Sequence, residues 1–411
     1  MNNTIHKNYI ESNNYLAYFL LCIDYNLLHN IIWQINNLYT YSFIYLNVLK
    51  VFLIYLQMDK RDISRTVLEY IWIGGKGEIR SKTKVIHRFL PFGISYIPEW
   101  NYDGSSTWQA DSNSDTEIIL KPCLIVKDPI RKMDNVICYI VLCDTYDSNN
   151  NPTPTNHRYL ANKIFQQGEK CEPWFGLEQE YFMELHPKNS LETVLPGFHY
   201  CGNSSNSLER KIAEEHMLVC IEAELQISGI NSEVSNCQWE FQIGPCEGIQ
   251  AGDHLIIARY LLERIAEKYD VRINYHPKPD KNINGSGCHI NFSTYSIRSR
   301  RIASEDVGIK EIHRCIKYLS EKHEELIKVY GNNNGLRLTG FHETSSYDKF
   351  SWGIGTRNTS VRIPNQVIRD NCGYFEYRRP AANIDPYLAT SNLFKICCLD
   401  VVNDDDFTIK H

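Results

Sequence analysis

The sequence predicts an α+β protein, with a small β-rich N-terminal domain followed by a larger domain of mixed strands and helices. Three observations predict it. Strand-length apolar segments dominate up to about residue 150, a polar Pro-containing loop at 149–154 interrupts the pattern, and beyond Trp174 strands alternate with long helical segments. At 411 residues the chain exceeds one typical core, which fits two domains or one domain with extensions.

Residues 1–57 differ from the rest. They are rich in Tyr, Leu, Ile and Asn and poor in charge. The run Tyr15 to Trp33 is broken by Asp24 and His29, and the run Tyr41 to Gln57 carries Asn47 and Lys50. Neither supplies the roughly 20 clean apolar residues that a membrane helix needs. A basic segment followed by a small-residue cleavage site is also missing, so a signal peptide is not expected. These residues read as a dispensable extension or a misassigned start, and Met58 opens what looks like the start of a domain. The expected organisation is 1–57 extension, 58–150 β-rich domain and 151–411 catalytic domain.

Within 58–150, Val67 to Ile73 reads as a strand and Gly74-Gly75-Lys76-Gly77 as a turn. Glu117 to Lys127 and Asn135 to Asp144 are two further strands. His157 to Gln167 reads as a helix after the polar loop. Helices are expected at Ser207–Gln226, Gly252–Tyr269 and Ser304–Tyr330, with a strand at Cys237–Ile243.

Composition narrows the function. Apolar content is 43% and charged content 22%, which is ordinary globular usage, so a mostly disordered chain is excluded. The net charge is −6 with no lysine-rich block, so neither nucleic acid nor a membrane is an expected partner. The 14 cysteines include no Cys-x-x-Cys pair and read as reduced thiols of a cytoplasmic protein. The familiar nucleotide and hydrolase motifs are missing: Gly-x-x-x-x-Gly-Lys-Ser/Thr, Gly-x-Gly-x-x-Gly, His-Glu-x-x-His and Gly-x-Ser-x-Gly.

What remains is a set of acidic clusters. In "WFGLEQEYF", Glu178 and Glu180 stand two apart, so a strand puts both on one face. In "NSEVSNCQWEFQIGP", Glu240 and Gln242 share one face, while Trp239, Phe241 and Ile243 share the other; Glu233 lies upstream in a turn-like segment. His289 follows a glycine-rich stretch, and Glu376 sits in an aromatic strand beside Arg378 and Arg379. Each glutamate alone would pass as a solvated strand face, but carboxylates on several apolar strands are costly to bury without a cation. Oxygen ligands plus one imidazole suit magnesium or manganese better than zinc. Arg337, Arg357, Arg362, Arg378 and Arg379 supply forks for phosphates and carboxylates. The residues together predict a site for hard divalent cations that serves ATP chemistry.

The motifs "PEWNYDGSST" (98–107), "WFGLEQEY" (174–181), "WEFQIGPCEGI" (239–249), "NGSGCHINFS" (284–293), "RLTGFHETS" (337–345), "SVRIP" (360–364) and "YFEYRRPAANIDPY" (374–387) occur in order. With them, the chain resembles the eukaryotic-type (type II) glutamine synthetases from about Val67 to Leu399. The resemblance implies a β-grasp-like N-terminal domain and a catalytic domain with a curved antiparallel sheet backed by helices. It implies ATP-dependent ligation of ammonia to L-glutamate through γ-glutamyl phosphate, with ATP as co-substrate and at least two Mg2+ or Mn2+ ions per site. It implies one metal on Glu180, Glu233 and Glu240 and a second on Glu178, His289 and Glu376. Asn291, Ser293 and Tyr374, with Glu178 and Glu240, belong by resemblance to the nucleotide side, and Arg357 and Arg362 to the phosphates. Arg337 and Arg378 are expected to clamp glutamate carboxylates, and Asn284 with Gly285 to contact the amino-acid backbone. Asp103 is expected to reach a neighbouring subunit's site and, with Glu343 on a closing flap, to take the ammonium proton. The implied assembly is a homo-oligomer of stacked rings.

The chain departs from the family's usual pattern at Trp108, Leu336 and Tyr377 and in a shorter Gly331–Gly335 loop, changes that bear on rate and affinity more than on reaction class. Two other readings stay open on the sequence: a catalytically silent protein on the same scaffold, and a ligase joining glutamate to another amine.

Overall fold

The computed structural model describes residues 65–185, 199–203, 207–299, 301–302, 305–341 and 344–400. The extension at 1–57 and Glu343 lie outside the described residues.

Two sheets organise the chain. The first has the strand order β2-β1-β5-β4-β3, with β1 (Arg65–Ile73), β2 (Ile79–Ile86), β3 (Trp100–Asp103), β4 (Glu117–Lys127) and β5 (Val136–Asp147). The Gly74–Gly77 turn joins β1 to β2, with Gly77 N donating to Gly74 O at 3.1 Å. Strand β1 is covered on both faces, which explains its almost unbroken apolar run. Leu68, Tyr70 and Trp72 pack with Leu120, Tyr139 and Val141, while Ile71 packs on the opposite side with Ile140 and Leu142 in the main core.

The second sheet has eight strands: β6 (Trp174–Leu185), β7 (Ile227–Ser232), β8 (Gln238–Glu247), β9 (Val271–Asn274), β10 (Cys288–Ser293), β13 (Trp352–Ile354), β14 (Val361–Ile363) and β15 (Phe375–Tyr377). Their order is β13-β14-β15-β10-β6-β8-β7, with β9 also paired to β6. Every pair is antiparallel except β13 with β14. A short ribbon of β11 (Arg301–Ile302) and β12 (Glu305–Asp306) stands apart.

Helices α1 (His157–Gln167), α2 (Ser207–Glu222), α3 (Gln250–Glu267), α4 (Gly308–Glu321) and α5 (Pro386–Phe394) are the longer ones. Asn156 caps α1 by accepting from Tyr159 N, and Asp385 caps α5 by accepting from Tyr387 N and Leu388 N, with Pro386 in the first turn. Helix α3 is buried along most of its length and backs the second sheet, with Leu255, Ile257, Ala258, Leu261 and Leu262 essentially inaccessible. No helix among the described residues is long and apolar enough to cross a membrane. No disulfide joins the described cysteines, in line with the reduced thiols expected.

Most expected elements are present with shifted ends. The expected helix at Ser207–Gln226 stops at Glu222, because Glu224 takes a left-handed φ of 62° and Leu225 N bonds back to Cys220 O at 3.0 Å. No glycine marks that stop. The expected helix at Ser304–Tyr330 is α4 alone, followed by a single turn at His323–Leu326; Lys322, at φ −107° and ψ 10°, breaks the ladder between them. The strand expected at Cys237–Ile243 continues through Pro245 to Glu247, because a register shift opposite Phe175 and Leu177 accommodates the proline.

Two polar contacts tie the first sheet to the helical layer. Arg158 of α1 grips Asp253 of α3 through Nε at 2.7 Å and Nη2 at 2.8 Å and also faces Asp144 of β5 at 3.4 Å. Glu69 of β1 accepts from Tyr260 Oη at 2.8 Å and Arg131 Nη2 at 2.9 Å, and Thr83 Oγ1 also donates to it. Burial alone would raise the Glu69 pKa, but the hydrogen bonds from Thr83, Ser81 and Tyr260 and the Arg131 charge lower it below its ordinary 4.5.

Arg158→Met leaves Asp253 and Asp144 buried without a cation, and should cost about 3–5 kcal/mol in urea unfolding of the full chain. A loss under about 1 kcal/mol would mean that water or rearrangement satisfies both carboxylates. Glu69 contributes stability that is fully present above its unfolded pKa near 4.5 and is lost as pH falls through the lower folded value. Unfolding free energies measured from pH 6 down to pH 3 should therefore fall less steeply in Glu69→Gln than in wild type, and parallel curves would remove Glu69 from the account.

Candidate metal and phosphate site

Alternation along the strands builds the site. On β6 the side chains of Phe175, Leu177, Gln179, Tyr181 and Met183 point into the core, so Glu178 and Glu180 must point the other way. The register carries this across the sheet. Glu180 lies opposite Glu240, and Glu178 lies opposite Gln242 on one side and His289 on the other. Asn291 lies opposite Glu376, and Glu376 opposite Arg362. One face of the second sheet is thus acidic and basic, while Trp239, Phe241, Ile243, Ile290, Phe292, Phe375 and Tyr377 fill the other.

Gln179 fixes the central strand from behind. Its side-chain oxygen accepts from Arg259 Nε at 2.9 Å and Nη2 at 2.5 Å, and its amide donates to Ala382 O at 3.0 Å. Arg259 in turn donates to Ile384 O and Ala382 O, both at 2.9 Å. A residue flanked by two site glutamates is therefore locked to α3, and its register cannot slip.

Glu178, His289 and Glu376 offer ligand atoms that all lie within 4.8 Å of one another. His289 Nδ1 is 3.4 Å from Glu178 and 3.5 Å from Glu376. Burial, together with the charge of Arg378, lowers the His289 pKa well below the usual range, which keeps the ring neutral and able to ligate. Gly287 leaves room for this ring, since a Cβ there would sit 2.7 Å from His289 Nε2. Arg362 Nη1 donates to Glu376 at 3.0 Å, and Arg378 Nη1 donates to its other oxygen.

Glu180, Glu233 and Glu240 are coupled electrostatically, but among the described residues only Glu178, His289 and Glu376 bring their ligand atoms together within 4.8 Å. Glu180 accepts from Gln238 Nε2 at 3.0 Å and Gly287 N at 2.9 Å, yet burial and the Glu233 charge push its pKa up to about 8. Burial raises Glu233 as well, against hydrogen bonds from Val234 N and Asn231. Glu240 is raised by burial and then by Glu178, Glu180 and Glu233. The charges of Arg337, Arg378 and Arg357 act the other way on Glu180 and Glu233 without overcoming burial and mutual repulsion, which is the setting a divalent cation would relieve.

The other expected residues fall around this face in different ways. Arg337 is buried, and its Nη2 donates to the carbonyls of Arg378, Arg379 and Pro380 at 2.9–3.0 Å. Its Nη1 lies toward the Gly287 turn. Arg357 Nη2 donates to Tyr200 Oη at 3.3 Å, and its carbonyl accepts from Arg378 Nε at 3.0 Å. Asn291 donates to Glu178 at 2.8 Å, whereas Ser293 Oγ donates to Gly373 O at 2.5 Å. Tyr374 is partly exposed, and its pKa is raised by burial and then by Glu178 and Glu376. Asn284 N donates to Ser235 Oγ at 3.1 Å, and Gly285 O accepts from Gln238 at 3.0 Å. Asp103 ends an edge strand of the first sheet and is not brought to this face within one chain; Ser105 N and Oγ donate to it at 3.0 and 2.7 Å and lower its pKa.

Of the sequence departures, Tyr377 points into the core, edge-on to Tyr330 at 5.3 Å, so its identity answers to packing. Trp108 is 57% exposed at φ 58°, with Lys76 Nζ 3.7 Å above its ring. Two further polar residues, Gln238 and Asn231, complete this face. Gln238 shares the period-2 face of Glu240 and was open to the same reasoning, whereas Asn231 enters only through the β7–β8 register that sets it opposite Glu240.

Glu240→Gln tests the repulsion. Removing one carboxylate from the cluster should stabilise the metal-free chain by about 1 kcal/mol and diminish the rise in Tm that added Mn2+ gives wild type. An undiminished Mn2+-dependent rise in the variant would exclude Glu240 as a ligand.

The family model described as glutamine synthetase, catalytic domain, matches residues 158–401. A protein of Acanthamoeba polyphaga mimivirus, provisionally named a glutamine synthetase, is 51% identical over 343 residues, covering 82% of this chain and 95% of its own length. The glutamine synthetase of Eremothecium gossypii is 43% identical over 359 residues, 85% of this chain and 94% of the relative. That of Saccharomyces cerevisiae is 44% identical over 360 residues, again 85% and 94%.

Proposed function

The chain belongs to the glutamine synthetase family, and from that premise we infer that it is a glutamate–ammonia ligase whose reaction takes place on the polar face of the second sheet. The observation that carries the siting is the convergence of Glu178, His289 and Glu376 in reach of one another, with Arg362 and Arg378 on the same carboxylate.

The chemistry accounts for such a face. A carboxylate has no leaving group, so ammonia cannot displace its oxygen directly. Transfer of the ATP γ-phosphoryl group to the glutamate side chain gives γ-glutamyl phosphate and ADP; ammonia then attacks the acyl carbon and inorganic phosphate departs. Glu178, His289 and Glu376 would hold one divalent cation and Glu180, Glu233 and Glu240 another. The oxygen-rich donor set suits Mg2+ or Mn2+, and such ions, when bound, offset the phosphate charge.

The chain's own residues do the rest. Arg357 and Arg362 face the phosphates, and Asn291, Ser293 and Tyr374 belong to the nucleotide side together with Glu178 and Glu240. Arg378 and the Nη1 of Arg337 receive the glutamate carboxylates, and Asn284 and Gly285 meet its backbone. The three carbonyl bonds on Arg337 Nη2 support this role, because they hold the fork in place before substrate arrives. Asp103 of a neighbouring copy and Glu343 accept the ammonium proton, which requires a homo-oligomer with sites between subunits. The exposure of Asp103 at the end of an edge strand supports that reading, since its carboxylate is available to another copy.

The test is ADP release by the full-length chain with glutamate, Mg2+ or Mn2+, and either ammonium or a larger amine. Glutamine formation dependent on ammonium is expected. Product with the larger amine alone would replace ammonia as the second substrate, and no glutamate-dependent ADP release would leave a silent scaffold.

A further inference from the structure

Behind the acidic face lies a carboxylate that the reaction does not use. Glu209, in the first turn of α2, is 1% exposed. It accepts from Trp239 Nε1 at 3.2 Å and from Cys237 Sγ at 3.2 Å, and it faces His199 Nε2 at 3.4 Å. The other ring nitrogen, His199 Nδ1, is 2.5 Å from the carbonyl oxygen of Glu233. A carbonyl only accepts, so Nδ1 donates. The His199 backbone is tied to the same place, because Ser232 Oγ donates to His199 O at 2.7 Å.

These contacts bracket one short segment. Glu233 opens the loop between β7 and β8, and its amide donates to Gln238 O at 2.8 Å. Cys237 and Trp239 close it, and Glu240 follows on the opposite face of β8. Glu209 therefore grips the entrance of the loop through His199 and its exit through Cys237 and Trp239, from the core side. Two of the three glutamates assigned above to one cation sit on this loop and at its exit. A carboxylate this deeply buried is unfavourable unless hydrogen bonds compensate it, and here His199, Cys237 and Trp239, which compensate it, belong to or bind the loop that carries those glutamates.

We propose that Glu209 is a positioning residue that sets the spacing of Glu233 and Glu240, and so controls the affinity of the cation held by Glu180, Glu233 and Glu240, while leaving the Glu178–His289–Glu376 group untouched. The proposal rests on the glutamine synthetase reading of the site. Glu209 touches no reacting atom; it acts through the loop, as partners behind metal ligands commonly do.

The experiment titrates Mn2+ into metal-stripped full-length protein and follows the free-ion signal by electron paramagnetic resonance. Wild type, Glu209→Ala, Glu209→Gln, His199→Phe and the α2 core variant Val219→Ala are compared, each below its own Tm. Wild type should bind a tighter and a weaker set of ions. Glu209→Ala should weaken one set by about 10–100-fold and keep the other. His199→Phe, which cuts the link to Glu233 but keeps an aromatic ring, should weaken the same set, and it decides the matter if Glu209→Ala does not fold. Glu209→Gln should fall between wild type and Glu209→Ala. Val219→Ala should lower Tm and leave both sets unchanged, which separates positioning from general stability. Unchanged Mn2+ binding in folded Glu209→Ala and His199→Phe overturns the proposal alone. A wild-type chain that binds no Mn2+ overturns the assigned cation site and the proposal with it.

Discussion

Carboxylates that repel one another line one face of the second sheet, and the apolar packing of the opposite face holds them there. Two like charges about 4 Å apart near a protein surface repel by about 4 kcal/mol. A single buried Phe, Leu or Ile contributes about 1.5–3 kcal/mol by leaving water, and β6, β8 and β10 each bury two of them on the core side, with Trp239 in addition on β8. Packing therefore outweighs repulsion strand by strand. At Glu180, Glu233 and Glu240 the charges of Arg337, Arg378 and Arg357 only partly offset burial and mutual repulsion, and a divalent cation is the natural complement. Around Glu376 the balance is different, because Arg362 and Arg378 already neutralise it. The two halves of the face thus differ in electrostatic character before any ligand arrives.

Much of this was legible in the sequence because β-structure has a period of two. Glu178 with Glu180 and Glu240 with Gln242 were assigned to shared faces from spacing alone, and the buried Leu177, Gln179, Trp239 and Phe241 bear this out. The strand at Glu117–Lys127 and the helix at His157–Gln167 were legible to the residue, since turn-forming residues bound them on both sides. Helix ends were less so. The stop after Glu222 uses a glutamate in a left-handed conformation, and the break at Lys322 has no proline or glycine to announce it. Register was not legible at all. Nothing in "ISGINS" says that Asn231 will face Glu240, and nothing near Glu209 says that it will lie beneath Trp239. Such pairings depend on contacts between segments far apart in the chain.

The site is also supported from behind in two distinct ways. Gln179 and Arg259 lock the middle strand to α3 and to the 382–384 segment. Arg337 braces the 378–380 segment through its carbonyls, close to where Arg378 meets Glu376. In both cases a buried guanidinium meets several fixed acceptors, which satisfies the charge and stiffens the backbone together. Preorganisation of this kind matters for phosphoryl transfer, where catalysis is chiefly positioning and charge stabilisation.

Strand β1 is closed on both faces, and only one of its covers comes from its own sheet. The other includes α3, which begins about a hundred residues after β5 ends. During synthesis the ribosome adds about 5–20 residues per second, so the first sheet emerges on the order of ten seconds before the helix that seals it. For that interval a nascent chain displays Ile71, Ile140 and Leu142 to solvent or to whatever binds them. The order of synthesis thus leaves one face of the first sheet uncovered until α3 is made, and exposed apolar strand faces of that kind favour aggregation.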